Sequence, residues 1–310
     1  MMHSTAESLP TPAEQFATST KKRRRGKAQL TLDLEKAIHG VVEERYPITI
    51  RGIGYALFVQ GMIPSMATKE TQKVSRIATA MREEETLDWR KIVDDSRAVD
   101  RISAWSDPAE IVAAAVKGYR KNHWKDQPKL VEVWSEKGTV QGVLAPVLES
   151  YGLTFRVMKG FGSYTAIRQA AEDSLETAQD YVALYLGDYD PSGLYMSLVD
   201  LPKRLEAGYS TWELKRVAIT ECDTHGLPSF NVATKKKDPR YKWYASKFGE
   251  KAWELDAMNP NDLRARVESA IKAQIDMDKW NHSLRIEQAE IESMEEFHRQ
   301  WRATARGGAA

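Results

Sequence analysis

The sequence predicts an α/β protein in which a parallel four-stranded sheet follows a helical N-terminal region. From Lys129 onward, short apolar runs rich in strand-forming residues alternate with segments of helical spacing. This alternation is typical of parallel strands that are joined by right-handed crossovers. The length of 310 residues favours about two domains, and 42% hydrophobic with 29% charged residues is typical of a globular protein.

The predicted sheet region has four strands and three helices. The strands are KLVEVW beginning at Lys129, LTFRVM at Leu153, YVALYL at Tyr181 and LKRVAIT at Leu214. The helices between them are TVQGVLAPVLESYG, SYTAIRQAAEDSLETA and SGLYMSLVDLPKRLEAG. Two further amphipathic helices, over residues 261–278 and 280–302, are expected to close the chain and to pack on the sheet.

Residues 29–105 are predicted to form a winged helix-turn-helix domain. Three amphipathic segments with tight connections precede the extended piece LDWRKIV, an arrangement typical of that DNA-binding module. A plain helical bundle is the alternative. Residues 106–128 are expected to form a helix and a polar linker, and residues 129–310 the sheet domain with a C-terminal helical extension.

Residues 1–28 are predicted to be a disordered basic tail. They are rich in Ser, Thr, Pro and Ala and end in the run KKRRRGK. Lys21, Arg23 and Arg24 of this run are expected to contact DNA phosphates, because basic runs bind phosphates without regard to sequence. A solvated tail or a targeting signal are the alternatives.

Composition restricts the compartment and the partners. One cysteine, Cys222, excludes an internal disulfide framework and favours the reducing cytoplasm. No apolar run approaches the roughly 20 residues of a membrane span, and the first residues lack the apolar core of a signal peptide. Since the net charge is only +1, binding to nucleic acid has to come from local basic patches.

Two aspartates follow the third predicted strand at the carboxyl edge of the sheet. Asp188 and Asp190 come directly after Gly187, and Ser192 is expected to cap the next helix. Glu136 follows the first strand and should lie at the same edge, where open α/β sheets bind their ligands. Because Mg²⁺ prefers oxygen ligands, these three acids form a candidate magnesium site. Glu132, inside the first strand, is a rival candidate.

The segments VWSEKGTV, KGFGSYTAI and LGDYDPSG resemble a Toprim domain. They are most similar to the version in the A subunit of type IIB topoisomerases (topoisomerase VI) and its meiotic double-strand-break relatives. The resemblance covers roughly residues 30–300 and implies that Glu136, Asp188 and Asp190 bind Mg²⁺. The chain is shorter than typical topoisomerase VI A subunits, and in this it looks like the compact stand-alone A-type proteins of mobile elements and phages.

That family carries a winged helix before the Toprim domain, with a nucleophilic tyrosine four residues after an arginine. ITIRGIGYALF supplies Arg51 and Tyr55 at this spacing, which puts both on one helix face. The resemblance implies a covalent 5′-phosphotyrosyl intermediate on double-stranded DNA, and a homodimer in which each tyrosine meets the partner's metal site. A structural Tyr55, with water as the attacking group, is the alternative. Because no G-x-x-x-x-G-K-[ST] run occurs, any ATPase must be a separate subunit.

A basic and aromatic stretch over residues 235–248 is a second candidate surface for nucleic acid. Its lysines and arginine alternate with aromatic residues, which are able to stack on bases. Lys236, Lys237 and Arg240 are expected to contact DNA, together with Lys137 beside the acids; Lys159 and Arg168 are weaker candidates. A loop whose aromatic residues anchor it to the core is the alternative.

The expected function is therefore Mg²⁺-dependent DNA strand cleavage, by a topoisomerase or by a Toprim nuclease. A DNA-binding protein without catalysis, and a phosphatase or other small-molecule phosphotransferase of α/β fold, are the competing classes. Asp256 follows a strand-like piece, and the sequence leaves open whether it is a further acid near the metal or a surface residue.

Overall fold

A computed structural model of the chain describes residues 29–93, 104–158, 164–207 and 212–307. The predicted basic tail with Lys21, Arg23 and Arg24 lies outside these residues, as does the KGFGS segment with Lys159. In chain order the helices are α1 Gln29–Arg45, α2 Ile50–Val59, α3 Thr68–Glu83, α4 Pro108–Gly118, α5 Thr139–Tyr151, α6 Tyr164–Asp173, α7 Pro191–Tyr195, α8 Leu201–Ala207, α9 Tyr241–Phe248, α10 Pro260–Lys272 and α11 Met277–Gly307. The strands are β1 Ile48–Thr49, β2 Ile92–Val93, β3 Lys129–Ser135, β4 Thr154–Val157, β5 Asp180–Leu186, β6 Trp212–Ala218, β7 Phe230–Asn231 and β8 Lys251–Ala252.

The predicted parallel four-stranded sheet is confirmed. Its strand order is β4-β3-β5-β6, and every neighbouring pair is parallel. Ser135 at the end of β3 lies opposite Leu186 at the end of β5. The residues that follow these two strands therefore emerge side by side at one edge of the sheet.

The central strand β5 is buried on both of its faces. Val182, Leu184 and Leu186 pack into the core that α5 and α10 close, whereas Ala183 and Tyr185 pack into the core beneath α6 and α8. This explains the continuous apolar run of the sequence, since a parallel strand covered by helices on both faces cannot alternate with polar residues.

Helices α1, α2 and α3 form an N-terminal helical unit, residues 29–93, around its own apolar core. The core contains Leu34, Ile38, Val42, Ile53 and Leu57, each at most 1% exposed. The predicted extended piece appears as β2, which forms a two-residue parallel pair with β1. Three helices and a short strand pair thus agree with the coarse prediction for this region.

The N-terminal helical unit is docked on the sheet unit, residues 129–272, by polar contacts to its backbone. The guanidinium group of Arg264 in α10 donates to the carbonyl oxygens of Tyr46 and Pro47 at 3.0 and 3.2 Å, and to that of Val143 in α5 at 3.1 Å. Asn261 donates to the carbonyl of Glu44 at 3.1 Å. The segment that leads into α2, residues 44–47, is therefore held against the sheet unit by the side chains of α10.

The final helix differs from its predicted position. α11 packs along α4 and the segment after it, where the Tyr119 hydroxyl donates to Glu290 at 2.6 Å and Lys121 pairs with Glu290 at 2.9 Å. Only its first turn, through Trp280, enters the core of the sheet unit. Among the described helices, none combines the length and the hydrophobicity needed to cross a bilayer.

Candidate active site at the carboxyl edge of the sheet

The loop after β5 is shaped by a helix cap and by two glycines. Asp190, not Ser192, caps α7: its Oδ1 accepts the backbone N–H of Gly193 at 2.7 Å, and Pro191 occupies the first helical position. A Cβ on Gly193 would lie 2.3 Å from the carbonyl oxygen of Asp188, and one on Gly187 would lie 2.7 Å from the Tyr185 ring. Both glycines of GDYDPSG are therefore required by close packing.

Arg216 at the end of β6 ties this loop together. Its guanidinium donates to the carbonyl oxygens of Gly187 and Asp188 at 2.8 and 2.5 Å, and to Ser197 Oγ at 2.6 Å. It also donates to the carbonyl of Ile219 at 2.7 Å. Burial lowers the pKa of Arg216, with the nearby acids acting in the opposite direction. Its charge is thus fixed beneath the two aspartates.

Two lysines lie against the aspartates. Lys137 Nζ lies 2.9 Å from Asp188 Oδ1 and 2.7 Å from Asp256 Oδ2, and Lys235 pairs with Asp190. Asp188 Oδ1 also accepts the backbone N–H of Leu255 at 2.8 Å. Burial raises the pKa of Asp188, although Lys137 opposes this effect. Burial alone would lower the pKa of Lys137, but the carboxylates of Asp188 and Asp256 outweigh it and raise the value.

Glu136 completes the group at this edge, as the order of the strands requires. Burial raises its pKa, and the negative charges of Asp188 and Asp190 raise it further. The hydroxyl of Tyr185, a residue with 0% exposure, has no hydrogen-bond partner among the described residues. Burial and the charges of the same three acids raise the pKa of Tyr185, against the influence of Arg216. An orphaned polar atom therefore lies close to the three acids.

The donor chemistry at this edge fits a hard divalent cation. Glu136, Asp188 and Asp190 offer only carboxylate oxygens, and the orphaned Tyr185 hydroxyl beside them needs a polar partner. Within the described residues, no three acidic, histidine or cysteine side chains are grouped as a ready-made metal site. In this structure Lys137 is paired with Asp188, and Lys235 is paired with Asp190.

Arg51 of the N-terminal helical unit faces the same edge, and Tyr55 lies beside Arg51. Arg51 pairs with Glu254 of the sheet unit, and its guanidinium carbon lies 5.9 Å from the centre of the Tyr55 ring. Tyr55 is 6% exposed. Burial and the charge of Glu254 raise the pKa of its phenol, whereas Arg51 acts to lower it. Both residues of the predicted R-x-x-x-Y pair are thus close to Glu254.

Two clefts meet at the Arg51–Glu254 ion pair. The central cleft, about 500 Å³, lies between the units and is lined by Thr49, Arg51, Lys137, Asp188, Glu254 and Asp256. The amino ends of α2 and α5 also line it, through Ile50 and Thr139, and helix amino ends attract anions. The tyrosine cleft, about 340 Å³, is lined by Arg51, Tyr55, Phe58, Met66, Phe230 and Glu254.

Glu132, the rival to Glu136, belongs to a separate structural cluster. It is 6% exposed and accepts two hydrogen bonds from Arg156, both 2.9 Å, and one from Trp134 Nε1 at 2.6 Å. Arg156 also pairs with Asp173 at 3.2 Å. The Glu132 carboxylate is therefore fully hydrogen-bonded within the fold. It lies in the middle of β3, away from the carboxyl edge.

The basic and aromatic stretch is divided between core and surface. The rings of Tyr244 and Phe248 pack edge-on against Tyr189, between the two aspartates, with centroids 6.3 and 5.9 Å apart. Lys236 and Lys237 are exposed. These aromatic residues therefore anchor the stretch to the core and pack against the D-x-D loop. Of the residues predicted to contact DNA in this stretch, Lys236 and Lys237 are the exposed ones.

Two arginines predicted to contact phosphates are held by local carboxylates. Arg240 pairs with Asp238, two residues earlier in the chain, through hydrogen bonds of 2.6 and 3.0 Å. Arg168 pairs with Glu172 along α6 at 2.8 Å.

Three residues of the site were not predicted to lie beside the acids. Arg216 lies in the middle of a strand-like run, Lys235 within a basic run, and Glu254 in WELDAM, two positions before Asp256. The E-x-D spacing of Glu254 and Asp256 repeats that of the D-x-D and was the available signal. Nothing local in the sequence distinguishes Arg216 from an exposed arginine.

No protein-family model matches the chain, and neither a curated protein nor a solved structure matches it. The residues of the site themselves therefore have to support any functional proposal.

Proposed function

We propose that this protein cleaves DNA strands in a Mg²⁺-dependent reaction, as a topoisomerase VI A-like enzyme with winged-helix and Toprim domains. One observation carries the proposal: Glu136, Asp188 and Asp190 converge at the carboxyl edge of a parallel sheet, next to an open cleft that also holds Lys137 and Arg51. Carboxylates and cations side by side at a cleft suit a phosphodiester substrate and its metal ion.

The residues of the chain divide the work between metal and phosphate. Glu136, Asp188 and Asp190 would hold Mg²⁺. Such an ion stabilises negative charge that develops on phosphoryl oxygens. Arg51 and Lys137, aided by the amino ends of α2 and α5, bind and orient the scissile phosphate in the central cleft.

Tyr55 then serves as the nucleophile. Its phenolic oxygen forms a bond to the 5′ phosphorus while the bond to the 3′ oxygen breaks. The phenolic proton ends on the released 3′ hydroxyl, so that the exchange of one ester for another is balanced and reversible. Arg51, four residues before Tyr55, favours the phenolate by its charge.

The partners proposed from the family resemblance are double-stranded DNA, a second copy of the chain and, for strand passage, a separate ATPase subunit. The exposed Lys236 and Lys237 and the basic run with Lys21, Arg23 and Arg24 would add contacts to the DNA backbone. The single cysteine favours action in the cytoplasm.

A hydrolytic Toprim nuclease is the second candidate, because Tyr55 is 6% exposed and burial raises the pKa of its phenol. In that mechanism water attacks the phosphate and Tyr55 only packs. The two candidates share the acids and differ in whether the protein becomes attached to DNA.

The test is incubation of supercoiled plasmid with the protein and Mg²⁺ or Mn²⁺, quenched with SDS and analysed with and without proteinase K. Tyrosine chemistry predicts breaks that carry protein until proteolysis and that disappear in Tyr55→Phe. Free ends that persist in Tyr55→Phe and vanish in Asp188→Asn establish the nuclease. If the wild-type protein binds DNA and no breaks form with either metal, the proposal of cleavage is wrong.

A further inference from the structure

The two carboxylate oxygens of Asp190 are engaged by different groups. Oδ1 caps α7 by accepting the backbone N–H of Gly193 at 2.7 Å, and Oδ2 accepts a hydrogen bond from the ammonium group of Lys235. The side chain of Asp190 is only 4% exposed, whereas that of Lys235 is 32% exposed. A cation that binds Oδ2 therefore has to compete with Lys235.

The two lysines of the site differ in how many carboxylates hold them. Lys137 lies 2.9 Å from Asp188 and 2.7 Å from Asp256, so that it keeps one partner if the other turns to a metal ion. Within the described residues, Lys235 has an ion pair with Asp190 alone. An ion bound at the acidic edge would therefore leave Lys137 in place and release Lys235.

The surroundings of Lys235 fix its backbone and leave its side chain free to turn. Lys235 ends the single helical turn Val232–Lys235, which the side chain of Asn231 caps by accepting a backbone N–H at 2.7 Å. Its ammonium lies 5.3 Å from the centre of the Phe230 ring, and Phe230 lines the tyrosine cleft. Because a lysine stem is flexible and an aromatic face attracts a cation, the ammonium can leave Asp190 without a change in the backbone.

We propose that Lys235 couples the metal ion to the DNA: the ion displaces its ammonium from Asp190, and the released ammonium binds a DNA phosphate. The inference rests on the metal site of the proposed function and holds whether tyrosine or water attacks. A divalent ion and an ammonium group repel each other at such short range, whereas phosphate attracts the ammonium. Metal ion and DNA should therefore each strengthen the binding of the other by the same factor.

The first measurement is the affinity for Mn²⁺ without DNA, by titration calorimetry, of the wild-type, Lys235→Gln and Lys236→Gln proteins. Each variant loses one positive charge, but Lys236 is exposed. Lys235→Gln should bind Mn²⁺ about fivefold more tightly than the wild type, because a competing ammonium is removed. Lys236→Gln should stay within about twofold of the wild type, because solvent and salt screen its charge. Equal affinities of the wild type and Lys235→Gln would overturn the proposal.

The second measurement is the affinity for a short DNA duplex, by fluorescence anisotropy, in EDTA and in Ca²⁺. Ca²⁺ takes oxygen ligands of the same kind, and the recovered duplex is checked for breaks. In EDTA, Lys235→Gln should bind DNA within about twofold of the wild type, because Asp190 already holds the lysine. In Ca²⁺ it should bind about fivefold more weakly, because the released ammonium is missing. Any loss in Lys236→Gln should be the same in both conditions.

The outcomes separate coupling from a simple phosphate contact. If Lys235→Gln loses the same factor in EDTA and in Ca²⁺, Lys235 binds phosphate independently of the metal ion and the coupling is refuted; if it loses none, the phosphate contact is refuted. Lys235→Met, which has no donor for Asp190, should show the same pattern, and circular dichroism checks the fold of every variant. A wild-type protein that binds neither Mn²⁺ nor Ca²⁺ refutes the metal site itself, which is a different and recognisable result.

Discussion

Two clusters of carboxylates on the same sheet differ in how many acids share the surrounding positive charge. Glu132, in the middle of β3, receives hydrogen bonds from Arg156 and Trp134 and is nearly buried. At the carboxyl edge, Glu136, Asp188 and Asp190 crowd together, and an orphaned Tyr185 hydroxyl lies close by. In the first cluster one carboxylate is matched by Arg156 and Trp134, whereas at the edge two lysine-paired aspartates lie beside a third acid and an unpartnered hydroxyl.

We take this difference to separate an acid that holds the fold from the acids that are proposed to bind the metal ion. A buried acid in a strand needs a dedicated cation, since an unpaired buried charge is costly. Acids that repel one another raise each other's pKa, and such crowding is typical of functional sites. The comparison predicts opposite effects of mutation on stability and on activity for the two clusters.

The largest effect is expected at the edge. Asp188→Asn keeps the size of the side chain but removes a charge from the proposed metal site. Cleavage should fall by about 100-fold or more, which corresponds to the several kcal/mol that a metal ion contributes to phosphoryl chemistry. Quantified plasmid cleavage measures this effect. A matched Asp173→Asn variant, which removes an acid from the Glu132 cluster, should leave the rate within about threefold.

Glu132→Ala should instead damage the fold. Removing it leaves Arg156 half-buried beside only Asp173, and breaking a buried pair in this way costs about 3 kcal/mol. Thermal or urea unfolding measures the loss. The fraction of the variant that remains folded should cleave at nearly the wild-type rate. A stable but inactive Glu132→Ala protein would show that Glu132 takes part in cleavage, and the proposed difference between the two clusters would then be wrong.

Gly193→Ala should affect both properties, because a Cβ would lie 2.3 Å from the carbonyl oxygen of Asp188. The loop has to shift, which costs about 1–3 kcal/mol and displaces Asp188 and Asp190. Gly226→Ala is the matched control, since nothing lies within 4 Å of its Cβ. Equal stability and cleavage of the two variants would show that the loop tolerates the displacement.

Tyr185→Phe gives the smallest but most distinctive effect. Removing an orphaned buried hydroxyl should leave stability unchanged or raise it by about 1 kcal/mol, while Mg²⁺-dependent cleavage falls. Tyr181→Phe on the same strand is the control, because the Tyr181 hydroxyl donates to the carbonyl of Asp173 at 2.9 Å and its loss should destabilise by a similar amount. A destabilised Tyr185→Phe would show that this hydroxyl has a partner in solution.

The coarse fold was predictable because the signals are local. Apolar runs located β3 to β6, and the turn residues after β5 located Asp188 and Asp190. The prediction that the final helix packs on the sheet was wrong, since α11 lies along α4. An amphipathic helix does not encode which apolar surface it covers. The helix cap was predicted at Ser192 but lies at Asp190. Serine and aspartate both cap helices well, so the residue type alone did not decide between them.

The contacts that complete the site depend on the tertiary fold. Arg216 approaches Gly187 and Asp188 only because β6 lies beside β5. Glu254 meets Arg51 across more than 200 residues of sequence. No pattern within a short window predicts either contact, and the same holds for the pairing of Lys137 with Asp256.

The most direct test of the account is metal binding by the purified protein without DNA. Titration with Mn²⁺, followed by electron paramagnetic resonance or calorimetry and repeated in competition with Mg²⁺, measures occupancy of the acidic edge. We expect Mn²⁺ to bind to the wild-type protein and to Asp173→Asn, and binding to be lost in Asp188→Asn with the fold intact by circular dichroism. Equal binding by wild-type and Asp188→Asn proteins, or none by the wild type, would contradict the claim that Glu136, Asp188 and Asp190 form a metal site.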